Sequence, residues 1–236
     1  MRPCGRLSDD ACMSNRRGPE PAWDDELVRL IQLGRDREAA ELAIHHLGPV
    51  TQGALMEPRD QLEEILPLVS KLVEPLTDDQ LNAGTPCAAF TVRDILEHMI
   101  GGATMFAAAF RGMTPTEPAG GSEPLAAFPV ALGNLRDSVG SPGALDRTIA
   151  APFGEVPGDT FARFVALDGL LHGWDIATAT GQPYDPSAAV VAAVDTFARQ
   201  TISDDMRANG MFASPVDPPL GASPIVRLAA FTGRQV

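Results

Sequence analysis

Apolar residues recur every three or four positions through most of the chain after residue 56, and this spacing is typical of amphipathic helices that bury one face. The first such stretch covers 58–76. The same periodicity predicts further helices at 91–110, 124–138, 160–180 and 186–205, and a short helix that carries Ile225, Leu228, Ala229 and Phe231. The pattern therefore predicts an all-α bundle followed by an extra C-terminal segment.

Local signals mark where these helices begin and end. Thr91 followed by Asp94 is the pattern of a capping box, which predicts the start of the second bundle helix. The run Gly181-Gln182-Pro183 predicts the end of the fourth. Between the third and fourth helices, residues 139–158 are rich in Gly and Pro, so we expect an irregular connection with a short extended piece at 148–151.

The first 55 residues differ from the rest. Residues 1–22 are polar and lack periodicity, so we expect them to be disordered. Residues 24–47 carry an apolar stripe that predicts a helix. We therefore divide the chain into an N-terminal extension, 1–55, that is poorly ordered, and a helical bundle, 56–236. Because the bundle reads as self-contained from Met56, we also consider a translation start there.

Charge and cysteine content narrow the classes of partner. The formal net charge is −13, which disfavours binding to nucleic acid or to acidic lipid surfaces. No apolar run is long enough for a transmembrane helix. Three cysteines give no disulfide framework, which favours a reducing, cytoplasmic setting. We therefore expect small-molecule partners, no nucleic acid and no membrane, and we consider a homodimer.

Three residues could share one chemical role. Asp168 and His172 are four apart, so a helix places both on one face. His98 lies on or beside the apolar stripe of the second helix. Inward-facing imidazoles and carboxylates are costly unless they are paired or metal-bound. Two interpretations remain open: a hydrogen-bonded core cluster, or a three-ligand metal site between facing helices whose fourth position is free for water or substrate.

Other polar and reactive residues nearby have less specific interpretations. Asp175 could support the ligands from behind or hold a structural place, and Trp174 is expected to pack in the core. Cys87 is expected to serve the structure of its loop rather than redox chemistry. Glu97 points about 100° away from the face of His98, so no general base is assigned and the catalytic residues stay unknown.

Four stretches carry a family resemblance: Thr85–Cys87, Thr91–His98, Asp168–Ala177 and Pro215–Arg234. With these stretches in this order and spacing, the chain from Met56 onward resembles the DinB-like bundle superfamily. It resembles in particular the actinobacterial branch that contains mycothiol-dependent maleylpyruvate isomerase and many uncharacterised metal-binding proteins.

The resemblance implies a four-helix bundle in which His98, Asp168 and His172 bind a divalent metal, zinc by family precedent. Asp168 stands where the isomerase has a glutamate; because aspartate is one methylene shorter, it must sit closer to the metal or bind through water. The precedent also implies that mycothiol serves as a thiol cosubstrate.

The function implied is that of a metal-dependent, thiol-utilising transferase or isomerase of small electrophiles. Isomerase activity itself is not carried over, because the separate C-terminal domain of the isomerase has no counterpart after the fifth helix. Two alternatives belong to other classes. One is a non-catalytic protein with a structural metal, and the other is a regulatory or interaction protein that uses residues 23–55 to bind a partner.

Overall fold

The computed structural model describes residues 56–88, 90–114, 123–151 and 154–236, and within these ranges the chain is mainly helical. The predicted all-α class is therefore confirmed. The extension 1–55, with its predicted helix and predicted disorder, lies outside the described residues. The helices are α1 (Pro58–Val73), α2 (Val92–Arg111), α3 (Pro124–Val139), α4 (Gly158–Thr180), α5 (Ala188–Thr201), α6 (Asp204–Ala208) and α7 (Pro224–Phe231).

Helices α1 to α4 form a bundle around one apolar core. α2 lies along α3, and α1 lies along α4. Each helix contributes side chains that are almost fully buried, among them Leu62, Ile65, Ile95, Leu96, Phe110, Phe128, Leu167 and Leu170. All of them except Leu170 belong to the predicted apolar stripes, and their burial supplies most of the driving force for packing the helices together. No helix in the described part of the chain is long and apolar enough to cross a membrane.

The start of α2 confirms the predicted capping box. The backbone N–H of Asp94 donates to Thr91 Oγ1 at 3.3 Å, and the backbone N–H of Thr91 donates to Asp94 Oδ2 at 2.8 Å. This reciprocal pair satisfies two backbone donors that the helix itself cannot use. At the end of α4, Gly181 adopts a left-handed conformation with φ of 67°, as the predicted stop signal requires. Both helices that carry candidate ligands therefore have one end fixed by sequence.

The predicted extended piece is one strand of a hairpin. β1 (Thr148–Ala151) pairs antiparallel with β2 (Gly154–Pro157), and Ile149 lies opposite Val156. The backbone N–H of Gly158 then donates to the carbonyl of Arg147 at 2.7 Å. α4 therefore begins at Gly158, the residue directly after β2.

The fifth helix is shorter than its apolar pattern predicts. The sequence predicts a helix over 186–205, whereas α5 ends at Thr201 and α6 begins at Asp204. Ile202 is extended, and Ser203 caps the next helix by accepting a hydrogen bond from the backbone N–H of Met206 at 3.3 Å. A serine side chain can accept a hydrogen bond from a nearby backbone N–H in place of a helical carbonyl, and here this bond starts a new helix instead of continuing α5.

Two glycines let α4 approach α1 closely. A Cβ atom at Gly169 would lie 3.1 Å from Cγ2 of Ile65, and one at Gly173 would lie 3.0 Å from Cγ2 of Val69 and 2.5 Å from the Tyr184 hydroxyl oxygen. Successive helical residues point about 100° apart. Because each glycine directly follows a candidate ligand, the edge of α4 that meets α1 is distinct from the edge that carries the ligands.

Candidate metal centre

Helices α2 and α4 bring the three predicted residues together across 70 positions of sequence. His98 Nε2 lies 3.1 Å from Asp168 Oδ1. His172 Nε2 lies 3.4 Å from the same oxygen. One donor atom from each of the three residues lies within 4.8 Å of the other two. The i, i+4 spacing on α4 and the position of His98 on α2 thus place three candidate ligands in one cluster.

The donor set and its spacing fit a divalent metal. Tetrahedral zinc has bonds of about 2.0–2.2 Å to nitrogen and oxygen, which places neighbouring donors roughly 3.3–3.6 Å apart. Two imidazole nitrogens and a carboxylate oxygen are a donor set that zinc accepts. Asp168 reaches both imidazoles despite its short side chain. The same distances also permit hydrogen bonds from the imidazoles to the carboxylate, the other interpretation that the sequence leaves open.

The cluster is open on one side. The side chain of His98 is 41% exposed and that of Asp168 is 33% exposed, whereas that of His172 is 6% exposed. His98 therefore does not occupy the core, although its neighbours Ile95, Leu96 and Met99 do. The arrangement has one buried imidazole behind two groups that face a cavity.

Charge within the cluster shifts the ionisation of two of its members. Burial alone would raise the pKa of Asp168, but the charge on His172 and hydrogen bonds with both histidines hold the pKa of this carboxyl well below its ordinary value. Burial alone would lower the pKa of His172, but the charge on Asp168 and hydrogen bonds to Asp168 and Asp175 raise this pKa to about 9. Without a metal, the Nε2 proton of His172 therefore lies between His172 and Asp168, where a metal would bind.

A second carboxylate holds His172 from the opposite side of its ring. His172 Nδ1 lies 3.0 Å from Asp175 Oδ2, and Asp175 is fully buried. The guanidinium of Arg234 donates to both oxygens of Asp175 at 3.1–3.3 Å. Its Nη1 also donates to Thr232 Oγ1 at 3.2 Å. Asp175 thus supports a candidate ligand from behind, one of the two roles expected for it.

Arg234 was not identified as a site residue from the sequence. The sequence signal was indirect, since the C-terminal stretch that ends at Arg234 is part of the family resemblance. Nothing in helical periodicity links a terminal arginine to a carboxylate 59 positions earlier. The contact depends on the packing of α7 against α5, which positions the residues that follow α7.

The loop before α2 places an aromatic ring against both histidines. Thr85 Oγ1 donates to the carbonyls of Cys87 and Phe90 at 3.0 and 2.8 Å. The Phe90 ring lies 5.7 Å from His98 and 5.9 Å from His172, measured between ring centroids. These two hydrogen bonds hold the loop through its backbone, and the structural role expected for the Cys87 side chain stays a prediction.

A cavity of about 660 Å³ opens in front of the cluster. The apolar part of its lining includes five phenylalanines, which are Phe90, Phe106, Phe161, Phe164 and Phe212. Residues 210–213 and 232–234 also line it, so the segment after α5 supplies one wall. Trp174 does not line the cavity and packs in the core, as predicted.

The family model of the mycothiol maleylpyruvate isomerase N-terminal domain matches residues 62–177, which include all three members of the cluster and Asp175. An uncharacterised protein of Mycobacterium tuberculosis strain H37Rv is 34% identical over 160 residues, which are 67% of this chain and 87% of that protein. An uncharacterised protein of strain CDC 1551 matches with the same identity and coverage. No solved structure gives a significant match. The chain therefore belongs to the family of the mycothiol maleylpyruvate isomerase N-terminal domain.

Proposed function

We propose that this protein binds a divalent metal, zinc in the first instance, through His98, Asp168 and His172, and that it uses the metal to join or transfer a thiol to small electrophiles. The observation that carries the proposal is the convergence of three donor atoms at the wall of a cavity of about 660 Å³. His98 and Asp168 line that cavity, and their side chains are 41% and 33% exposed.

The metal, when bound, would lower the pKa of a thiol or water in its remaining coordination position and would polarise a carbonyl group. An open position is the property that separates catalytic from structural zinc sites. The exposure of His98 and Asp168 supports the open arrangement.

The surrounding residues would orient the ligands. With its proton on Nδ1, His172 donates to Asp175 and keeps the Nε2 lone pair directed at the cluster. Arg234 fixes Asp175 in turn. The Phe90 ring lies against both imidazole rings and would limit their tilt. No side chain is assigned as general base.

The family description supports mycothiol as the thiol cosubstrate. A small electrophile would then be the second partner. We include a cytoplasmic location in the proposal, because a chain with three cysteines has no disulfide framework to favour an oxidising compartment. A homodimer remains a prediction, to be measured by sedimentation.

The primary test is the metal content of protein purified without added metal, measured by elemental analysis. We expect about one zinc, nickel or iron per chain in the wild type. His172→Ala should lose it, and Glu97→Ala should retain it, because Glu97 neighbours His98 in sequence but is exposed and outside the cluster. A wild type that contains no metal and cannot be loaded would overturn the proposal.

Thiol chemistry is tested separately, by following thiol consumption by the metal-loaded protein with a panel of electrophiles. The proposal expects turnover that disappears in His98→Ala. Stoichiometric metal without thiol consumption would instead favour the non-catalytic alternative. Loss of a captured partner after deletion of residues 1–55 would favour the regulatory one.

A further inference from the structure

We infer that the cavity accepts an uncharged electrophile whose body is apolar and contains a ring, and that it discriminates against anionic groups placed away from the metal cluster. This inference rests on the proposed function, because it takes the reacting end of the ligand to lie at His98, Asp168 and His172. It concerns the opposite end of the ligand, which the walls of the cavity would hold.

The walls are aromatic and braced. Phe106 meets Phe161 edge to face, with ring centroids 5.0 Å apart, and Phe161 lies 5.5 Å from the buried Phe110. Phe164 makes a similar edge contact with Phe197 at 5.0 Å. Such rings offer flat apolar surfaces, and an aromatic ligand gains from both buried area and ring geometry.

The C-terminal wall is held in place by contacts of its own. Arg207 donates hydrogen bonds to the carbonyl of Ala213 and, at 3.1 Å, to that of Phe231. Its guanidinium also lies over the Phe231 ring, 4.9 Å from the centroid. The stretch that carries Phe212 is thus tied to α7 without any contribution from a ligand. A preformed apolar pocket binds its ligand with little ordering cost.

Charge is confined to the cluster end. Among the described residues that line the cavity, the ionisable groups besides the Cys87 thiol are His98, Asp168, His172 and Arg234. Arg234 is 8% exposed, and its charge is balanced by the buried Asp175. An anionic group elsewhere in the cavity would lose hydration without finding an uncompensated cation, which is costly. The net charge of −13 opposes anions further.

The test compares acetophenone with acetophenone-4-sulfonate by titration calorimetry. Both probes carry the same ketone, and they differ by a negative charge at the far end of the ring. Sulfonate is also a weaker metal ligand than carboxylate, so the charged probe has little reason to bind in reverse. We expect the neutral probe to bind at least about tenfold more tightly.

A matched pair of variants places the same new charge inside and outside the cavity. Met105 lines the cavity and is 45% exposed, whereas Met113 is 62% exposed and does not line it. We expect Met105→Lys to strengthen sulfonate binding by about tenfold, because it supplies the missing cation. Met113→Lys changes the net charge equally and should leave the preference unchanged.

Equal binding of the two probes, tighter binding of the sulfonate, or no binding of either to the wild type would overturn the inference. The titrations are repeated after metal removal, because the walls do not depend on the metal. A neutral preference in protein that cannot hold a metal would sustain the apolar pocket while the proposed function fails. Protein that holds a metal but prefers the sulfonate would overturn the apolar pocket and leave the proposed metal-dependent function standing.

Discussion

His172 has a carboxylate on each side of its ring, and the two carboxylates lie in opposite surroundings. Asp175 is fully buried and is paired with Arg234. Asp168 is 33% exposed, faces the cavity, and shares one oxygen with two imidazoles. An imidazole nitrogen therefore faces a carboxylate on both sides of the His172 ring, Nδ1 facing Asp175 and Nε2 facing Asp168. On the core side, the negative charge of Asp175 is balanced by Arg234. On the cavity side, the negative charge of Asp168 is balanced by a proton on an imidazole or by a metal.

The largest difference between the two sides should appear in stability. Asp175→Ala leaves the buried Arg234 without its partner, which typically costs about 3–5 kcal/mol in the free energy of unfolding. Asp168→Ala removes a part-exposed group, and His172 can then release its proton instead of remaining a buried unpaired cation, so the loss should be smaller, roughly 1–2 kcal/mol. Urea unfolding of the metal-free proteins measures both. Similar losses for the two variants would mean that the core and cavity sides do not differ as described.

The pH dependence of the metal-free protein should sharpen the same contrast. The pKa of His172 rises from 6.5 to about 9 on folding, so its contribution to stability is complete below pH 6.5 and is lost as the pH rises through about 9. The lowered pKa of Asp168 adds stability that is complete above about pH 3.8 and is lost progressively as the pH falls below that value, outside the window of His172. We therefore expect a decline in unfolding free energy between pH 6.5 and 9.

His172→Gln should remove this decline, because glutamine does not titrate. Loading with zinc should also reduce it, since a ligating imidazole has already given up the Nε2 proton. A metal-free wild type with constant stability across this window would contradict the charge arrangement described for the cluster.

The smallest effect should come from Arg234→Lys. Lysine keeps the positive charge but cannot span both oxygens of Asp175 as the planar guanidinium does. We expect zinc affinity to fall by about tenfold, through looser orientation of His172, while about one metal per chain still binds. Competition with a chromophoric chelator measures this. Arg199→Lys, which alters an exposed helix pair with Asp195, should leave the affinity unchanged.

The parts of the structure that the sequence predicted depend on short-range rules. The bundle helices, the capping box at Thr91 and the extended piece at 148–151 all follow from spacing within a few residues. The pairing of Asp168 with His172 follows from helical geometry. The position of His98 beside an apolar stripe and the family resemblance both point to it, and the structure places it next to the other two.

The parts that were missed depend on where distant segments meet. Arg234 reaches Asp175 because α7, the helix that precedes it, packs against α5. The cavity has a wall formed by Phe212 and its neighbours, whose sequence is a Gly- and Pro-rich tail without periodicity. The break at Ser203 was missed because the apolar pattern continues to Ile202, whereas a single hydroxyl decides where the helix ends.

The glycines at 169 and 173 have a consequence for how this protein can change over time. A larger side chain at either position would contact Ile65 or Val69 too closely and would displace α4 from α1. Because Asp168 and His172 lie on the same helix, both would be displaced with it. Mutations of Gly169 or Gly173, on the face of α4 that packs against α1, would therefore disturb the cluster as replacement of Asp168 or His172 would. We expect natural drift to be slow on both faces of this helix turn, for two unrelated physical reasons.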